Sequence, residues 1–128
     1  MDAFIRVDTN EPGCAFDLVE FISELRATWP AAKVYQSKPS RKTSAFTWLV
    51  FVRPEGDFET EGFISRDGYH IGLKGLAEDC LRFARWVGSN YRGKSPLLFG
   101  DGQHVRLIDL SAGFDLESEI EYFESEQM

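Results

Sequence analysis

Proton transfer and nucleophilic attack near neutral pH rest most often on histidine and cysteine, and this chain of 128 residues supplies few of them. It has two histidines, His70 and His104, and two cysteines, Cys14 and Cys80. Asp101 and His104 form an Asp-x-x-His spacing, which is common by chance. No pair among the two histidines and two cysteines has the spacing of a zinc site, so no metal site is expected. Nucleophilic catalysis requires a Ser or Cys beside a base, and the chain has no Gly-x-Ser-x-Gly elbow. Cys80 falls on an apolar helical stripe and reads as a small core residue. Cys14 precedes a helix, where the dipole lowers a thiol pKa, but no base flanks it. Gly100-Asp101-Gly102 reads as a turn: no Lys-Ser/Thr follows, and the next element is a strand rather than a phosphate-binding helix. The residues thus predict no catalytic centre and no cofactor.

Carboxylates are the one chemical group in excess. Residues 1–106 hold 14 acids and 14 bases, and residues 107–128 hold seven acids and neither Lys nor Arg, so the whole net charge of −7 lies at the end of the chain. The acids are Asp109, Asp115, Glu117, Glu119, Glu121, Glu124 and Glu126. Duplex nucleic acid is repelled by such an end, and the body has no basic stripe to compensate. The densest basic group is Lys38, Arg41 and Lys42, which reads as a solvated loop. On a helix, like charges three or four residues apart destabilise by roughly 0.2–0.5 kcal/mol per pair. A cationic partner relieves that repulsion. An ordinary solvated helix that favours solubility accounts for the same residues. Asp115, Glu117, Glu119, Glu121 and Glu124 are therefore the candidate partner contacts.

The elements that must position these groups follow from hydrophobic period. Residues 3–8 alternate and predict a strand, closed by a turn at Asn10-Glu11-Pro12-Gly13. Ala15, Leu18, Val19, Ile22 and Leu25 predict a helix over 15–27, stopped by Pro30. Short strands are expected over 32–36 and 45–53. The second is apolar on both alternating faces, as in a central strand covered on both sides. Strands over 58–66 and 69–74 meet at Asp67-Gly68, a sequence suited to a tight type I′ hairpin. Leu76, Cys80, Phe83, Ala84 and Val87 mark a second helix, with Gly88 as its stop. Glu78 and Arg82 form an i, i+4 pair on it. A hairpin over 96–110 with its turn at 100–102, and a helix over 115–126 facing inward through Leu116, Ile120 and Phe123, complete the chain. The order is β-α-β-β-β-β-α-β-β-α. Tight connections imply a largely antiparallel sheet of six or seven strands with three helices on one or both faces, an α+β fold in a single domain spanning 1–128.

Composition agrees with a folded body. Aromatic residues reach 14%, enough bulky surface to offset chain entropy. The longest apolar run, Trp48–Val52, is far too short to span a membrane. The N-terminus lacks a signal-peptide pattern, so a cytoplasmic protein with reduced thiols and no membrane partner is expected.

Gly62–Gly68 (Gly-Phe-Ile-Ser-Arg-Asp-Gly), Leu76–Trp86 (Leu-Ala-Glu-Asp-Cys-Leu-Arg-Phe-Ala-Arg-Trp) and Pro96–Phe99 (Pro-Leu-Leu-Phe) resemble stretches of small bacterial proteins. In size, acidity and α+β layout the chain also resembles the immunity proteins of bacterial toxin systems, including contact-dependent inhibition. The resemblance implies a non-enzymatic module that binds and neutralises a cognate toxin, often a basic nuclease, inside the cell. Two other readings stay open. One is a small enzyme with His70, His104 or Asp101 in a cleft. The other is a homodimeric structural domain that buries the exposed face of its central strand, or Trp86, between subunits.

Overall fold

A computed structural model describes residues 1–9, 13–38, 43–53, 59–91, 96–102 and 106–126. The chain runs β1 (Asp2–Val7), α1 (Leu18–Thr28), β2 (Lys33–Gln36), β3 (Ser44–Val50), β4 (Thr60–Ser65), β5 (His70–Lys74), α2 (Ala77–Asn90), β6 (Leu97–Asp101), β7 (Leu107–Asp109), a 3-10 turn (Leu110–Ala112) and α3 (Leu116–Glu126). All seven strands join one sheet in the order β2-β3-β4-β5-β1-β6-β7, and every pairing is antiparallel. The fold is α+β, with the element order that the hydrophobic periods predict. β1 is inserted between β5 and β6, so the middle of the sheet unites the first strand with the hairpin that precedes α2.

The three helices lie on one face of the sheet. Alternation sends Ala3, Ile5 and Val7 of β1, Ile71 and Leu73 of β5, and Leu97 and Phe99 of β6 into that layer, where all are buried. An aromatic stack fills the layer under α1 and α2. Phe83 lies between Trp29 and Trp48, stacked on each with ring centroids 5.5 and 5.7 Å apart. Fully burying each such side chain is worth about 1.5–3 kcal/mol. Trp86 fixes α2 to α1: its ring packs on Phe21 and Trp29, and its Nε1 donates to Thr28 Oγ1 at 3.1 Å.

Several local expectations are corrected. α1 begins at Leu18, three residues late, because the Asp17 carboxylate accepts from the Glu20 N–H at 3.0 Å and caps the helix there. β3 is not a central strand covered on both sides. It stands second from the edge, with Trp48 and Val50 buried against the helices and Thr47 and Leu49 half-buried on the other face. The Asp67-Gly68 turn is not the tight two-residue form. The Gly68 N–H donates to Ser65 O at 3.0 Å, and Asp67 accepts from the Tyr69 N–H at 3.0 Å and the Ser65 hydroxyl at 2.5 Å, which makes a wider loop closed by side chains. Gly88 does not stop α2, which runs on to Asn90. A Cβ there would stand 2.9 Å from Leu110 O, so this glycine lets the 3-10 turn approach the helix. Gly100 is likewise a strand residue, opposite Phe4 and Leu107, and not part of a turn.

Candidate functional site

The acidic helix is built as its residues direct. Asp115 caps it, accepting from the Ser118 N–H at 3.1 Å, and Ile120 and Phe123 are buried under it. The Phe123 ring meets Phe99 of β6 edge-on at 5.6 Å. Four of the predicted contact acids, Asp115, Glu117, Glu121 and Glu124, are exposed on this helix. None of the four pairs with a cation among the described residues. The side chain of Glu126 lies outside the described residues, and Asp109 is spent on capping the 3-10 turn through the Ser111 N–H.

Glu119 corrects the picture of an outward flank of acids with no opposing base. It is buried at 6% exposure, and Arg106 grips it with both arms of its guanidinium, Nε to Oε2 at 3.0 Å and Nη2 to Oε1 at 2.6 Å. The same guanidinium sits 4.8 Å above the Tyr122 ring. The hydrogen bonds that Arg106 donates to Glu119, and then the charge of that carboxylate, push the Arg106 pKa up. Burying a carboxylate requires such a forked, charge-assisted partner. The last base of the chain, itself half-exposed, is thus committed to a partner within the same chain, and it ties α3 to the start of β7.

A second internal ion cluster holds the start of α2. Asp79 is fully buried, and Arg53, at the end of the β3 arm, donates to it through Nε at 2.7 Å while also meeting Glu78. The predicted Glu78–Arg82 pair forms, loosely, at 3.8 Å. By sequence Asp79 is one of two acids in the first turn of α2, where a carboxylate ordinarily serves only to complement the helix dipole. Its position directly before the apolar stripe residue Cys80 was the available signal.

Of the residues that an enzyme reading would need, the two described ones, His70 and Asp101, stand on opposite faces of the sheet. His70 is exposed on the helix-free face of the sheet, with Nδ1 4.0 Å from Asp67. Asp67 is held below the usual carboxylate range by the Ser65 hydroxyl and the Tyr69 N–H. Asp101 pairs with Ala3 in the register whose side chains face the helices, so it lies on the opposite side of the sheet from His70. His104, Arg41 and Lys42 lie outside the described residues. The Lys38 carbonyl accepts from Arg66 at 2.8 Å. Neither Cys14 nor Cys80 forms a disulfide, and burial pushes the Cys80 thiol up to about 12, which makes it inert at neutral pH. Among the described residues, no three His, Cys, Asp or Glu side chains stand close enough to hold a metal ion, and no helix is long and apolar enough to cross a membrane.

No family model, curated protein or solved structure matches this chain.

Proposed function

We propose that this chain is a non-enzymatic protein-binding module of the immunity type, which captures and neutralises a basic toxin through the outer surface of α3. The observation that carries this reading is the division of labour among the acids of that helix. Glu119 is buried and satisfied by Arg106, whereas Asp115, Glu117, Glu121 and Glu124 are exposed with no cation beside them among the described residues. Glu117 and Glu121 are one turn apart, as are Glu121 and Glu124, so their repulsion is relieved by an incoming positive surface. Such complementarity accelerates encounter and excludes like-charged partners.

The test uses the full chain as bait in lysate of the producing cell, alongside a variant carrying Glu117→Lys, Glu121→Lys and Glu124→Lys. The wild type is expected to retain a basic protein that the variant loses, and retention should weaken between roughly 50 and 200 mM salt as exposed charges are screened. Identical retained proteins on both baits would sink the proposal.

A further inference from the structure

The face of the sheet away from the helices carries three rows of side chains. The middle row runs across neighbouring strands as Thr47, Phe63, Gly72, Phe4, Gly100 and Leu107. Its two rings lie flat on glycines: a Cβ on Gly72 would stand 2.1 Å from Phe63, and one on Gly100 would stand 2.9 Å from Phe4. Phe63 and Leu107 are nevertheless 40% and 42% exposed, and Tyr35 extends the row on β2 at 56%. On one side of this row stand Glu61, Lys74 and Asp2, and on the other His70, Arg6 and Leu98. Lys74 is directly across from both Glu61 and Asp2, yet Asp2, Glu61, Lys74 and Arg6 form no ion pair among the described residues. Arg6 leans over the Phe4 ring at 5.8 Å, and its buried Nε finds no acceptor.

We infer that a second copy of this chain docks on this face, sheet against sheet, about a two-fold axis that follows the middle row. The reason is self-complementarity. An axis along the row sets Phe4 against Phe4 of the second copy and reverses the strands, so Asp2 of each copy comes opposite Arg6 of the other. Both unpaired charges are satisfied twice, as an isologous interface requires. The size also fits. Seven strands about 4.8 Å apart and three rows about 6.8 Å apart cover roughly 700 Å² on each copy, close to the ~800 Å² per partner of a standard interface. Face-to-face sheets of this kind pack about 10 Å apart with strands within about 30°. A nucleic acid fits less well, because Asp2, Glu61 and Asp109 balance the cations of this face. The helices are left on the two outer layers of the dimer, with both copies of α3 free. The inference is therefore independent of the proposed function.

Sedimentation equilibrium of the full chain tests it. The expected mass is twice 14.6 kDa at micromolar concentration. Asp2→Arg and Arg6→Asp should each weaken the dimer at least about tenfold, and combining them should recover affinity to within about threefold, because the charge pair is re-formed with reversed sign. Far-UV circular dichroism verifies the fold of each variant. A chain that stays monomeric up to about 0.5 mM, a dimer indifferent to both single variants, or a double variant no tighter than the singles overturns the inference. So does a monomer that takes up a single-stranded oligonucleotide or a foreign protein on this face. The α3 triple variant described above should remain dimeric, which separates failure of one proposal from failure of the other.

Discussion

Alanine at Gly62 and alanine at Gly72 should have unequal consequences, although the two glycines stand on neighbouring strands of one sheet. Gly62 faces the helices. A Cβ there would lie 2.4, 2.5 and 2.7 Å from Nε1, Cε2 and Cζ2 of Trp48, where ordinary contacts are about 3.5–4.0 Å. Trp48 is 1% exposed and is wedged against Phe21 and Phe83 at 5.6 and 5.7 Å. It cannot rotate away, so the core must expand at a cost of about 3 kcal/mol. At roughly 3–4 °C per kcal/mol for a chain of this length, Tm should fall by about 10 °C. Gly72 faces the open side. Its Cβ would lie 2.1 Å from Phe63 Cε1, a worse overlap on paper, but Phe63 is 40% exposed and can swing outward. The packing lost, about 1 kcal/mol, is offset by the 0.5–1 kcal/mol or so gained when alanine replaces glycine in a strand. Urea unfolding followed by tryptophan fluorescence at about 20 nM, far below the micromolar range in which the dimer is expected, compares the midpoints of the monomer directly. If Gly72→Ala destabilises as much as Gly62→Ala, the supposedly open face is covered. If Gly62→Ala is neutral, Trp48 is not packed as described.

Arg53→Ala should cost about 3 kcal/mol in urea unfolding, because it leaves the fully buried Asp79 without its 2.7 Å partner, and Asp79→Asn on that background should restore part of the loss. A change below about 0.5 kcal/mol would contradict the buried pair. Arg106→Gln should lower Tm and speed amide exchange throughout α3, while a second change, Glu119→Gln, recovers stability by removing the stranded charge; unaltered exchange in α3 would refute the anchoring role. Alkaline titration should destabilise the protein. Burial raises the Cys80 pKa from 9.0 to about 12, so the unfolded chain releases its proton first, and the contribution present below about pH 9 is lost as pH rises toward 12. Tyr91, raised by burial and then by the Glu24 carboxylate, acts in the same direction. A Tm that is flat or rising from about pH 8 to about pH 11 contradicts this, as does native-state reaction of Cys80 with a thiol reagent.

Local period alone determined a great deal. The stripe of Cys80, Phe83, Ala84 and Val87 made α2 legible, the alternation in β1 and β5 made those strands legible, and the order of elements with their short connections implied an antiparallel α+β sheet. These signals are readable because each is a relation between residues a few positions apart. The terminal acidity was equally plain. The misreadings share a different cause. Gly88 and Gly100 looked like punctuation, but each is a place where Leu110 or Phe4 comes close from a distant segment. The width of the Asp67-Gly68 loop was set by side-chain acceptors that the dipeptide does not reveal. β3 looked doubly covered because both its faces are apolar, and only the placement of all three helices on one layer left Thr47 and Leu49 partly open.

The candidate surface divides in the same way. The sequence alone fixed how many acids the last helix has and which of its residues turn inward as an apolar seam. Only the tertiary structure decided that Glu119 is internal, because burial of a carboxylate depends on whether a guanidinium from elsewhere can reach both of its oxygens, and Arg106 does so from 13 positions upstream. It also decided that, among the described residues, no helix covers the other face of the sheet. An alternating strand encodes that its two faces differ, but the face the helices cover depends on how every element packs at once.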